Sequence, residues 1–331
     1  MKSLIVSDGK PGHANQAKTL CGWMGWKYRE IVVRYPFGPV KAAAYALDWI
    51  RAYTTAPFVM AEPNDTAPLN DVTGLVGDCT VVTAVGSAAY YPAKVLARKT
   101  KLPVIALMYP SGFRKDFDHI LCPAYDNPPK KPNITALPIT LCGRDAGFYE
   151  AMAREFGQKV AYRLPAVGVI IGGDNKYERL CPDRLREQLE QIFALTPNHQ
   201  HWVTTSRRTC QAAEDVVEQF EFDYRLIYSK QHYNPIPAFL ALCDRLFVTS
   251  DSSSMISECV CTGQAKVEVL KNITQKKNKF DVFLRDLQAR GCVHLFDGSL
   301  GQADRKIDVA QTVREALANL ADGRRPDSEA V

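Results

Sequence analysis

Two Rossmann-like α/β domains are predicted by this 331-residue sequence, and three observations carry the expectation. Short apolar runs alternate with longer amphipathic stretches from end to end, the pattern of a parallel sheet covered by helices on both faces. The alternation restarts after a helical connector, Gly147–Val160. The length suits two domains of about 150 residues, each able to bury its own core.

In the first half, Lys2–Ser7 reads as a buried strand followed by a helix over His13–Met24. Tyr28–Val33 reads as a second strand and Val40–Tyr53 as a helix. The Pro, Asp and Asn of Thr54–Asp71 predict a long loop. Thr80–Val85 and Pro103–Met108 are β-rich runs around a helical stretch, Ala88–Lys99, with short strands near Ile120 and Ile134. In the second half the strands are Val167–Ile171, His201–Thr205, Leu226–Tyr228, Arg245–Thr249 and Lys266–Leu270. Helical stretches between and after them are Asp183–Leu195, Cys210–Gln219, Ala238–Leu242, Met255–Cys261 and Phe280–Arg290. A last amphipathic helix, Val309–Leu320, stops at Gly323, a fitting C-cap, and is suited to pack back toward the first domain. The expected domains are therefore residues 1–157 and 158–331, facing each other across a cleft.

Composition excludes several classes. With 46% hydrophobic and 23% charged residues the chain is neither disordered nor fibrous. Its longest apolar run, Leu164–Ile171, is far shorter than the roughly 18 residues of a membrane span. Polar Ser7 and Asp8 so near the start predict no signal peptide, hence a cytoplasmic protein, with room for peripheral contact at the inner face of a membrane. Ten scattered cysteines without a C-x-x-C are expected to be reduced, and neither they nor the six histidines form a zinc-ligand pattern. Residues 1–150 hold 17 Lys/Arg against 12 Asp/Glu, whereas residues 151–331 hold 24 of each. That excess is too diffuse for nucleic acid but suits an anionic small molecule or lipid surface, or an ordinary solvated face. Trp23, Trp26 and Tyr28 near Lys18, Arg29 and Arg34 could rest on lipid, although core packing is the commoner use of tryptophan.

In open α/β sheets ligands bind beyond the C-terminal strand ends, so the strand-to-helix loops are where chemistry is sought. The first such loop carries Asp8, Gly9, Lys10, Gly12, His13, Asn15 and Gln16. Its glycines permit close backbone approach, and the following helix start offers free N–H groups. His13, or Asp8, is a candidate general base. The spacing is neither that of a P-loop nor of a dinucleotide fingerprint. The alternative reading is a capped turn without chemistry.

A second constellation follows Arg245–Thr249. Ser252, Ser253 and Ser254 open a helix and could add hydroxyls to its free amides around a diphosphate, with Glu258 one turn on, placed to accept from a ribose diol. Over-capping is the alternative. Gly172 and Gly173 follow one strand, and Thr205, Ser206, Arg207 and Arg208 another, offering close backbone approach, hydroxyls and guanidinium groups to the same anion. Lys276, in the basic run before Phe280, could reach it as well.

The segments S-D-G-K-P-G-H-A-N-Q, T-T-S-R-R-T and V-T-S-D-S-S-S-M-I-S-E resemble the "mitochondrial fission" family of bacteria and plants, the elongated-mitochondria type. The resemblance runs from Ser7 to about Gly291. It implies a GT-B-like architecture and a glycosyltransferase-like activity. The layout is also similar to the GT-B enzyme that adds N-acetylglucosamine to the peptidoglycan lipid precursor. By that analogy the second domain would hold the nucleotide-sugar donor and the first the acceptor. Two departures are Glu268 in an otherwise apolar strand, which would alter the nucleotide pocket, and Ala124-Tyr125-Asp126 where Pro-x-His-Asp is usual.

The expected function is metal-independent transfer of a sugar from a nucleotide diphosphate to a lipid-linked or envelope-glycan acceptor, with no cofactor and no nucleic-acid partner. Epimerisation or hydrolysis of a nucleotide sugar, and a catalytically silent adaptor role, are the alternatives.

Overall fold

The computed structural model describes residues 1–63, 72–274 and 279–321. They divide into two compact units: Met1–Cys142 with the described part of Val309–Val331, and Gly143–Asp308.

The first unit opens with β1 (Lys2–Ser7), α1 (Pro11–Met24), β2 (Lys27–Arg34), α2 (Gly38–Trp49) and β3 (Val59–Ala61). It continues through α3 (Val72–Val76), β4 (Val81–Val85), α4 (Tyr90–Thr100), β5 (Val104–Leu107), β6 (His119–Pro123) and β7 (Ile134–Leu137). These strands form one sheet in the order β3-β2-β1-β4-β5-β6-β7, parallel except for the β2–β3 pair. Leu4 and Val6 point into a core shared with Tyr90, Tyr91 and Leu96, while Ile5 is buried on the opposite face, the α1 side. Burying each such aliphatic side chain contributes about 1.5–3 kcal/mol. Pro11 starts α1, and Gly25 at φ 65° ends it in the left-handed conformation that glycine adopts freely.

The second unit comprises α5 (Ala146–Lys159), β8 (Ala166–Ile170), β9 (Glu178–Arg179), α6 (Pro182–Leu195), β10 (Gln200–Thr204), α7 (Gln211–Glu218) and β11 (Tyr224–Leu226). Next come α8 (Ile236–Leu242), β12 (Arg245–Thr249), α9 (Ser253–Cys261), β13 (Lys266–Leu270), β14 (Ile273–Thr274), α10 (Lys279–Ala289) and β15 (His294–Leu295). Its main sheet, β11-β10-β8-β12-β13-β15, is wholly parallel. Two last helices, α11 (Ala310–Ala316) and α12 (Ala318–Ala321), return to the first unit, where Arg314 donates to the Trp23 carbonyl.

Several sequence expectations need correction. The second unit starts at Gly143, not at 158, because α5 packs on α8. Phe156 of α5 lies among Trp202, Tyr224 and Phe239, with ring centroids 5.0, 4.8 and 6.2 Å away, so the helix belongs to that core. The loop expected over 54–71 contains β3, and Gly323 lies outside the described residues. Of the aromatic group near the start, Trp26 is buried, Trp23 half-buried and Tyr28 exposed. Glu268 is no pocket residue. It is fully buried, ion-paired to Arg245, 2.6 Å from His294 Nδ1, and accepts the Gly301 N–H at 2.9 Å. All ten cysteines are free, but Cys210 is exposed.

Candidate functional site

In each main sheet the chain runs outward to one side and returns to the other, leaving a switch point between β1 and β4 and another between β8 and β12. Crevices at switch points are where open parallel sheets hold ligands.

At the first, Asp8 follows β1 and Gly86 follows β4, directly after the register partners Ser7 and Val85. Asp8 Oδ1 lies 2.9 Å from His13 Nδ1, and Oδ2 lies 3.1 Å from Lys10 Nζ. Burial raises the Asp8 carboxyl, but bonding and charge from His13 and then Lys10 outweigh it and bring it to about 2. An ionised carboxylate only accepts, so the nitrogen facing it, Nδ1, carries N–H, and in the neutral ring the lone pair lies on Nε2. The Asp8 side chain is 8% exposed and that of His13 23%, so the ring is held from within and reachable from outside. Asn15, Gly9 and Gly12 are exposed beside them, whereas Gln16 is buried.

Gly86 makes this geometry possible. At φ +89° it occupies a backbone region hostile to side chains, and a Cβ there would stand 2.7 Å from both Asp8 Cγ and His13 Nδ1. Gly86→Ala is expected to destabilise the fold by about 1–3 kcal/mol and separate the pair. Urea denaturation measures the first effect and the crystal structure of the variant the second.

The second switch point is organised by Asp251, whose side chain is fully buried. Its carboxylate accepts from Gly173 N–H at 3.1 Å, Thr249 Oγ1 at 2.6 Å and Asn272 Nδ2 at 3.4 Å, and pairs with Arg208. Thr249 Oγ1 in turn accepts the Gly172 N–H at 2.7 Å. A Cβ on Gly172 would stand 2.2 Å from the Asp251 oxygens, and one on Gly173 1.9 Å from the Arg208 carbonyl oxygen. The two glycines thus serve close packing, and their amides are already bonded inside the protein. Thr205 is likewise internal: its buried hydroxyl donates to Glu214 and accepts the Tyr228 N–H at 2.8 Å.

The remaining candidates keep an open side. Ser252 caps α9, its hydroxyl accepting from Met255 N–H at 3.4 Å, and Ser254 is exposed on the first turn with Ser253 before it. Glu258 accepts from the Tyr149 hydroxyl at 3.3 Å; burial pushes its carboxyl up, against that bond and the Arg144 charge. Ser206 forms a local turn with Thr209 and Arg208. Arg207 is exposed and without an ion pair among the described residues, whereas Arg208 is spent on Asp251. Lys276 lies outside the described residues.

Sequence reasoning missed Gly86, Asp251 as a hub, Asn272 and Tyr149. A glycine straight after an apolar run was the available signal for Gly86; Asn272 and Tyr149 offered none. Among the described residues no group of three or more His, Cys, Asp or Glu side chains is placed to hold a metal, and no helix is long and apolar enough to cross a membrane.

The profile of the family described as mitochondrial fission ELM1 matches residues 11–318. The chain belongs to that family. No protein of curated function matches the sequence. This ELM1-family chain is similar in structure to the UDP-GlcNAc 2-epimerase of Neisseria meningitidis bound to UDP-GlcNAc, at TM-score 0.50 and 12% identity over 97% of this chain and 92% of that one. The UDP-GlcNAc 2-epimerase of Methanocaldococcus jannaschii gives TM-score 0.50 and 12% identity over 98% and 94%. MurG of Acinetobacter baumannii gives 0.47 and 10% over 99% and 96%. The fold of the ELM1-family chain is GT-B-like, with two Rossmann-like units.

Proposed function

We propose that the protein transfers a sugar from a nucleotide diphosphate donor to a hydroxyl of a lipid-linked or envelope-glycan acceptor, without metal or cofactor. The observation that carries this reading is the Asp8–His13 pair at the β1–β4 switch point, an imidazole oriented by a carboxylate with Nε2 left as a base. In the reaction His13 Nε2 takes the acceptor hydroxyl proton as that oxygen bonds to the anomeric carbon. The bond from that carbon to the diphosphate oxygen breaks, and its electron pair leaves with the diphosphate. Lys10, Gly9, Gly12 and Asn15 border the acceptor.

On the second unit, the α9 start at Ser253 and Ser254 supplies amides, hydroxyls and the positive end of a helix dipole to the departing diphosphate, with exposed Arg207 as a cation. Glu258 accepts from the nucleoside ribose. Ser252 acts as the cap that aims this turn, and Gly172, Gly173 and Thr205 as its internal support.

Calorimetric titration with uridine, guanosine, adenosine and cytidine diphosphates tests the donor seat. One of them is expected to bind, with Ser254→Ala and Glu258→Ala each weakening it about tenfold, a loss of about 1.4 kcal/mol. Binding of none, or binding indifferent to both substitutions, overturns the seat and favours an adaptor. A second reading draws on the raised Glu258 carboxyl, an acid available on the second unit itself. It makes the protein a nucleotide-sugar epimerase or hydrolase, whose turnover would not depend on added acceptor.

A further inference from the structure

The helix α2 wears its apolar side outward. Pro39, Ala42, Ala43, Ala46, Trp49 and Ile50 recur at helical spacing and are all exposed, while the side turned inward buries Ala44 and Asp48. Phe37, just before the helix, is 63% exposed, Trp49 63% and Ile50 72%, the highest values among the large hydrophobic residues described. Nothing in the stripe is charged. Asp48 faces in, fully buried, and is bonded to Lys94 Nζ at 2.8 Å. Trp49 Nε1–H donates to the Gly112 carbonyl at 2.9 Å, which fixes one edge of the ring against the neighbouring loop while most of the residue stays exposed.

The rim is basic. Exposed Arg34 precedes Phe37, exposed Arg51 follows Ile50, and Trp49 shares one surface pocket with Arg114, Lys115 and Lys131. Exposed Lys130 adjoins them. The acid in that pocket, Asp116, is already paired with Lys94, Arg98 and Arg114.

We infer that α2 is a membrane-docking helix that lies in the headgroup region of an anionic bilayer. Apolar and aromatic side chains would enter the lipid boundary while Arg34, Arg51, Lys130 and Lys131 meet the headgroups. A second copy of the chain suits this face less well, since a twofold contact would set each basic rim against its own like charges. The inference stands apart from the proposed chemistry, and its test involves no nucleotide; together with that chemistry it would bring the enzyme to a lipid-linked acceptor.

Sedimentation of the full chain with vesicles of phosphatidylcholine alone, or with one third phosphatidylglycerol, tests it. Binding is expected to the anionic vesicles, at least about tenfold tighter than to the neutral ones and weakened by salt. The exposed double variant Phe37→Glu, Ile50→Glu should lose about tenfold or more while keeping the wild-type thermal midpoint. Lys130→Glu with Lys131→Glu should remove most of the preference for anionic lipid. Quenching of tryptophan fluorescence by bromine-labelled lipid should fall in Trp49→Phe, which retains binding. Failure to bind either vesicle, or binding untouched by the Phe37 and Ile50 changes, overturns the inference. So does a concentration-dependent dimer in ultracentrifugation that those changes abolish, because a second copy then covers the helix.

Discussion

Replacing His13 with alanine is expected to lower nucleotide-sugar turnover by about 10²–10⁴-fold, the usual contribution of a positioned general base. Nucleotide affinity should stay within about twofold, because the imidazole belongs to the first unit and the proposed diphosphate seat to the second. Asp8→Asn should cost about 10²-fold: an amide can no longer hold Nδ1–H in the same way, so the lone pair on Nε2 is no longer enforced. The Asp8 carboxyl, at about 2 in the folded protein against an ordinary 3.8, stays ionised through the working range. Its titration therefore cannot be what shuts the reaction down on mild acidification. Its contribution to stability is complete above about pH 4 and is lost as the pH falls from there toward 2, which acid denaturation of wild type against Asp8→Asn would measure. Rates under saturating donor decide the catalytic claim. An Ala variant keeping a third or more of wild-type turnover removes His13 from the reaction.

The largest effect on stability is expected at Asp251. Its side chain is fully buried and ties together loops after β8, β10, β12 and β13 through Gly173, Arg208, Thr249 and Asn272. Asp251→Ala leaves the Gly173 amide and the Thr249 hydroxyl without their acceptor and takes the carboxylate from Arg208, which keeps the Asp174 carbonyl at 3.1 Å. Two buried donors left unsatisfied cost about 1–3 kcal/mol each, which lowers the thermal midpoint of a unit of this size by about 5–10 °C or more. Asp251→Asn keeps one acceptor and the shape and should lose about half as much. Differential scanning calorimetry reads both, and a shift below about 2 °C for the alanine variant would show that the carboxylate is not the hub.

Much of the architecture was legible because parallel strands buried on both faces leave uninterrupted apolar runs, as in Val81–Val85 and Val104–Leu107. The edges were not. β3 is three residues long and sits among turn formers, and β9 and β14 are two residues each. Nor could the sequence say which core α5 would join, since Phe156 meets Trp202 only after folding. The same limit applied to the loops. Their positions were readable, as polar segments following strands. Which of their groups are consumed internally was not, because Gly172 and Gly173 spend their amides on partners 77 and 78 residues away. Arg207 and Arg208 are adjacent and chemically identical, and only the fold assigns one to Asp251 and leaves the other free of an ion pair among the described residues.

The path of the chain also carries a consequence for biosynthesis. The first unit is finished by α11, whose Val313 is fully buried, with Leu317 fully buried just beyond it and Arg314 reaching back to Trp23. Residues 143–308 have therefore all been synthesised before the clasp that seals the first unit is translated. Until then the flank of α1 awaits its cover, so the first unit to begin synthesis is the last to be completed.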